Sequence, residues 1–276
     1  MRDLIYGQSG LVIAGVLLAT LFVLIQWGWR LGCKGAASRD EKYRAHINTL
    51  LGSVLGLMGL MLGFTFSMAL NRYDGRSDAL VAEANAIGTA YLRAQLLPEA
   101  VRAPARDLIA RHVELRLAEG EIGLDEEFRR AGILVESGAL LEETWDLATR
   151  AAAIDPNPVT TGLFVQALND MIDQFGQRNM VIERHVPELV LVLLFGAVLL
   201  TGLVLGYSCG VAGHRPSIIS FAFGLLVVFV TYIIIDIDRP RRGLIQVDRA
   251  ILDSLAADIR ADRAGRTTPA KPGPGT

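Results

Sequence analysis

A chain of 276 residues that is 51% hydrophobic and 20% charged is too apolar, at a mean hydropathy of +0.38, for an ordinary soluble domain. It is also too charged to lie wholly in a membrane, so it reads as a membrane protein with a soluble part. Its 27 basic and 29 acidic side chains leave a formal net charge of −2, so the bulk charge gives no sign of a basic nucleic-acid surface or a strongly acidic tail.

The first apolar span is Leu11 to Trp29, with Trp27 and Trp29 at the end where amphipathic rings favour the headgroup level. Arg2 is balanced by Asp3 and no small-x-small cleavage site follows, so the span is expected to stay as an anchor. A polar connection from Arg30 to His46 carries Lys34, Arg39, Lys42 and Arg44.

From Ile47 to Gln95 no proline interrupts a stretch that begins apolar and ends charged and alanine-rich. One row of small or polar residues runs through it: Gly52, Gly56, Gly59, Gly63, Ser67, Asn71, Asp74, Asp78, Ala82, Asn85 and Gly88. Ten steps span 88 − 52 = 36 residues, an average of 3.6, so the row follows one line of a straight helix. Such a line is roughly 54 Å long, well beyond a hydrocarbon core of about 30 Å. The glycines suit close packing with neighbouring helices at Gly52, Gly59, Gly63 and Ser67. The adjacent row, Gly56, Leu60, Phe64 and Met68, would form a hydrophobic constriction if repeated around a symmetric oligomer.

The sequence then reads as soluble and helical to about Val186. One helix is expected through RDLIARHVELRLAEG with Pro104 in its first turn, and a second from Asp125 to Ala152, broken or capped near Gly132 and Gly138. IDPNP ends it, and a third helix follows from about Thr160 to Ile182. That helix places Phe164, Leu168, Met171, Ile172 and Phe175 on one side and Asn169, Asp170, Asp173, Gln177 and Arg178 on the other. No period-2 strand pattern occurs in this region. Two further spans, Leu189 to Tyr207 and Ile218 to Ile235, flank a short turn, with Gly202 and Gly206 spaced for close helix packing. An amphipathic helix using Leu244, Ile251, Leu255 and Ile259 is expected next, then a Pro/Gly-rich tail.

The expected fold class is therefore an all-α integral membrane protein with four transmembrane helices and a helical domain inserted between helices two and three. Its domains are residues 1–70 (helices one and two), 71–186 (the inserted domain), 187–236 (helices three and four), 237–263 (a membrane-proximal helix) and 264–276 (the tail).

Catalytic chemistry finds no foothold. The spans hold no Asp, Glu, Lys, Arg or His, which disfavours a proton-coupled carrier. There is no GxSxG, P-loop, HExxH or dinucleotide fingerprint, and Glu142 with Glu143 reads as a solvated helix face. Two cysteines, Cys33 and Cys209, exclude a disulfide framework or a multi-thiolate metal site. The four histidines (His46, His112, His185, His214) lack ligand spacing and read as interface or surface residues. No enzyme activity, cofactor, metal or nucleic-acid partner is expected.

GFTFSMALNRYD, from Gly63 to Asp74, resembles the pore-helix sequence of bestrophins: Gly-Phe, seven residues, then Arg and an aromatic, here Gly63, Phe64, Arg72 and Tyr73. Asp236, Asp238, Arg239 and Pro240 are similar to the acidic stretch ending in proline after the last membrane helix of that family, and the order of spans and helical insert matches from Leu11 to Leu255. The resemblance is to the bacterial bestrophin-like branch. It implies a pentameric channel for small monovalent ions, anions favoured over cations, in the inner cell membrane with the termini and helical domain cytoplasmic. It also implies a neck at Gly56, Leu60 and Phe64, an inner mouth at Arg72, Tyr73 and Asp74, and a candidate ion site at the membrane boundary at Asp236 and Asp238. The sequence departs from the pattern at Gly56, which offers the neck no side chain, and at Asp74, where a second aromatic is absent. The basic loop Arg30 to His46 would point to the opposite orientation by the positive-inside rule. The competing reading is a non-conducting membrane scaffold or sensor whose helical domain binds a protein.

Overall fold

A computed structural model describes residues 10–34, 41–122, 126–184, 186–239 and 245–267. Pro240, Arg241, Arg242, Leu244, His185 and the tail from 268 onward lie outside the described residues. Those described are helical, without strands: α1 Gly10–Cys33, α2 Glu41–Arg93, a 3₁₀ turn Ala94–Leu96, α3 Glu99–Glu121, α4 Glu127–Ile154, α5 Thr161–Glu183, α6 Glu188–Val211, α7 Ile218–Asp238 and α8 Ala250–Thr267. Four helical runs are long and apolar enough to cross a membrane, in α1, α2, α6 and α7. The chain divides into two compact units, one of residues 1–74 and 184–246, the other of 75–183 and 247–276. The 53-residue α2 is unbroken, as its proline-free sequence permits.

In the first unit α1 buries Leu17, Leu21, Ile25, Gly28 and Gly32, spaced by three and four residues, against α6. Glycines make this approach backbone to backbone. A Cβ on Gly28 would overlap the Leu203 carbonyl, and one on Gly206 the Ile25 carbonyl, so neither position tolerates a side chain. Gly202 meets Leu21 in the same seam, in line with the spacing of Gly202 and Gly206. Phe22 packs edge-on to Phe221 of α7 at 5.0 Å. Threonines within the spans return their hydroxyl protons to the preceding turn, Thr65 to the Met61 carbonyl at 2.7 Å and Thr231 to that of Val227 at 2.9 Å. Without water, that internal acceptor is what makes them affordable there. Cys33 is exposed and Cys209 buried, and both are free.

The second unit packs α3, α4, α5, α8 and the end of α2 around Ile87, Leu97, Ile109, Phe164, Leu168 and Met171. IDPNP does separate α4 from α5: Asp155 accepts the Asn157 amide at 3.2 Å and bonds the Thr160 hydroxyl. Several local expectations are corrected. The first helix of this unit begins at Glu99, so Pro104 lies inside α3 rather than in its first turn, and only the bond to the Ala100 carbonyl is lost. α4 runs through Gly132 and Gly138 without a break. His112, expected at a surface or interface, is buried with Leu108, Ile109 and Val113 on the apolar face of α3, as its place in that sequence pattern implies, and Arg178, expected on a polar face, is buried too. α8 turns Leu252, Ala256 and Ile259 inward, while Ile251 and Leu255 sit half-buried at the edge of that face. Glu142 and Glu143 are solvent-exposed as expected.

Candidate functional site

The apolar half of α2 has two faces of opposite character. Met58, Thr65 and Ala69 are 4%, 1% and 0% exposed and pack into the first unit. On the other side Leu60 is 54% and Phe64 65% exposed. No side chain or distant backbone among the described residues comes within 4 Å of a Cβ placed on Gly52, Gly56, Gly59 or Gly63, and Ser67 is exposed too. The expected packing row and the expected constriction row thus share one surface that this chain's own helices leave open. Four residues at 100° each put Leu60 and Phe64 about 40° apart on that surface, so their side chains stack one above the other.

Below them, Arg72 and Tyr73 are half-buried and Asp74 exposed. The Tyr73 hydroxyl donates to the Gln246 carbonyl at 3.4 Å, a side chain to backbone link within the first unit. Asp236 and Asp238, at the end of α7, are buried, and their oxygens are engaged by backbone amides. The Val186 N–H donates to both oxygens of Asp238 at 3.0 and 3.1 Å, and the Ile245 N–H donates to Asp236 at 3.2 Å. Among the described residues, no three acidic, histidine or cysteine side chains gather where they would hold a metal ion.

The second unit contains an ion network that the sequence reading missed. Glu83, on α2, pairs with Arg116 of α3 at 2.8 Å and with Arg178 of α5. Arg116 also reaches Glu119 at 2.7 Å, and Arg130 of α4 closes on Glu119 at 3.0 Å. Arg116 lies over the Phe175 ring at 4.9 Å, and His112 meets the same ring edge-on at 5.5 Å. Burial opposes ionisation of Glu119, yet Arg116, Arg178 and Arg130 outweigh it and hold its pKa below the usual carboxylate range. Burial, reinforced by Arg116, lowers His112 to about 3, so the ring is neutral at physiological pH. One signal for this cluster was present. Ala105, Ile109, His112, Arg116 and Glu119 repeat at three- and four-residue steps, which places Arg116 and Glu119 on the apolar stripe of α3.

Comparison with known proteins agrees with this architecture. No curated protein sequence matches significantly. Solved structures of a bacterial bestrophin homologue from Klebsiella pneumoniae are similar in fold. One is 13% identical with a TM-score of 0.61, covering 89% of this chain and 97% of that one. A single-substitution variant of it is 14% identical at TM-score 0.64, covering 94% and 99%. The bestrophin-like domain model matches residues 16–252, most of the length and every described helix from α1 into α8. The chain therefore belongs to the bestrophin-like family.

Proposed function

We propose that this protein is an ion channel of the inner cell membrane, assembled from identical copies, five in number, around α2, and that it passes small monovalent ions. Leu60 and Phe64 form the constriction, with Gly56 as a wide step above them. Gly52, Gly59, Gly63 and Ser67 let α2 of adjacent copies approach, and Arg72, Tyr73 and Asp74 line the inner mouth. Four spans keep the termini and the helical domain on one side of the membrane, and the family resemblance makes that side the cytoplasm.

The observation that carries this reading is the open face of α2, glycine-rich and bearing exposed Leu60 and Phe64, opposite a face buried in its own unit. In lipid, small residues favour helix-to-helix contact and large apolar rings favour dewetting. A scaffold would be better supported had the glycine row been covered by the chain's own helices, and it is not. Bestrophin-like channels favour anions by resemblance. Here Arg76 and Glu83 are buried, which leaves Asp74 and Asp78 exposed and Arg72 half-exposed along α2, a balance that supports cation passage.

The test is reconstitution into liposomes with separate Cl⁻ and K⁺ flux assays, alongside native mass determination. Flux is expected from the wild type and an increase from Phe64→Ala combined with Leu60→Ala. A monomer, or a silent protein that the double variant does not open, would overturn the proposal.

A further inference from the structure

On another side of the first unit an open groove of about 360 Å³ lies between α1, α2 and α6. Leu31, Ile47, Val54, Leu200, Leu203 and Tyr207 give it an apolar wall. Ile47 to Val54 and Leu200 to Tyr207 are seven residues each, so the groove runs about 10 Å along the helices, the scale of an acyl-chain segment. Gly56 is nine residues from Ile47, half a turn away at 100° per residue, so the groove lies on the side of α2 away from the glycine row.

The ends of the helices that form it are polar and basic. The Tyr43 and Tyr207 hydroxyls bond at 2.8 Å, joining α2 to α6, and the Ser208 hydroxyl donates to Asn48 at 2.9 Å. Arg30 precedes Leu31, Lys34 follows it by three residues, and Lys42 and Arg44 flank Tyr43; all four are exposed. Arg215 is held at the same end, its guanidinium 5.7 Å from the Trp29 ring. Among the described residues of the connection Glu41 is the lone acid, and Arg39 and Asp40 offset each other in sequence.

We propose that this groove and its basic rim bind an anionic phospholipid, one acyl chain against Leu203 and Val54 and the phosphate among Arg30, Lys42 and Arg44. An apolar groove in a bilayer gains little by exchanging one lipid chain for another, because lipid tails are as apolar as leucine. Preference must then come from the headgroup, and cations at a membrane surface supply it. The site also gives the basic loop a role that does not depend on which side of the membrane it faces. It holds whether or not the protein conducts ions.

The full-length protein is purified in mild detergent and its bound phospholipids are quantified by mass spectrometry against the host membrane. Phosphatidylglycerol and cardiolipin should be enriched over phosphatidylethanolamine by about fivefold for each cation engaged. Arg30→Gln with Lys42→Gln and Arg44→Gln should return the ratio to that of the membrane, and Leu203→Trp should lower the bound anionic lipid by filling the groove. A wild type without enrichment overturns the proposal, and so does a neutralised variant that keeps it. A Leu203→Trp protein that changes oligomeric state at unchanged lipid ratio would instead show the groove to be held by a second copy. A second readout needs no variant: brominated phosphatidylglycerol in mixed vesicles should quench tryptophan fluorescence more than brominated phosphatidylethanolamine at equal mole fraction. Equal quenching would overturn the site.

Discussion

Arg116 Nε lies 2.8 Å from Glu83 Oε1 with both side chains sealed from solvent, while Arg178 engages the second oxygen of the same carboxylate. One acidic group on α2 therefore bridges two buried guanidiniums; Arg116 has a second acidic partner in Glu119, whereas the Arg178 pair rests on Glu83. Glu83→Ala should destabilise the second unit by about 3–5 kcal/mol, the cost of stranding a buried charge. Glu114→Ala, which breaks an exposed pair with Arg260, should change stability by about 1 kcal/mol or less. Denaturant unfolding of the two variants side by side checks this, and comparable losses would rule out a special place for Glu83.

Acid should weaken the same unit, beginning at a pH above the carboxylate range. His112 is held neutral by burial, with a folded pKa of about 3 against 6.5 for the free side chain. Below pH 6.5 the unfolded chain takes up a proton that the folded one refuses. The contribution is thus complete above 6.5 and is lost as pH falls toward 3, at up to about 1.4 kcal/mol per pH unit. Glu119, lowered from 4.5, adds a loss of the same sign at lower pH. Melting temperatures measured from pH 7.5 to 5 should fall for the wild type and stay nearly flat for His112→Leu.

Two glycines in the spans should respond in opposite ways to one added methyl. A Cβ on Gly206 strikes the Ile25 carbonyl, and backbone cannot yield as a side-chain tip can. Gly206→Ala should therefore push α1 and α6 apart and lower the melting temperature of the detergent-solubilised subunit by several degrees, at about 1–3 kcal/mol for overpacking. Gly56→Ala meets nothing in its own chain. It should leave subunit stability unchanged and show itself, if anywhere, in assembly or flux.

Asp238 anchors the entry to α6 through the Val186 amide, and its carboxylate is buried. Asp238→Ala should cost about 1.5–3 kcal/mol, the worth of hydrogen bonds to a charged group. If the residue instead serves chiefly to attract a divalent cation, adding Ca²⁺ should raise the melting temperature of the wild type and not that of the variant. No such shift is expected, since both its oxygens already share the Val186 amide proton.

Much of this architecture was legible because its signals are local and strong. Spans of eighteen or more apolar residues announce themselves, and IDPNP ends a helix for reasons contained in five residues. The family resemblance rested on Gly63, Phe64, Arg72 and Tyr73, short but correctly ordered along the chain. The ion network was hidden because its members meet across long separations, 95 residues between Glu83 and Arg178. A charged residue at a core position of a helix looks, in sequence, like one on a solvated face. Pro104 misled for a similar reason: proline favours a helix start, but here α3 gained another turn before it. Which face of α2 is left open could not be read from its pattern, since glycine and leucine rows alternate around the helix.

The contrast between the two thiols gives the protein a built-in reporter of sidedness. Cys33 is accessible at the end of α1 and Cys209 is buried, so a membrane-impermeant maleimide should modify one position per chain. Labelling of intact cells compared with inverted vesicles would then show which compartment that end of the helices faces, with no engineered cysteine and no tag.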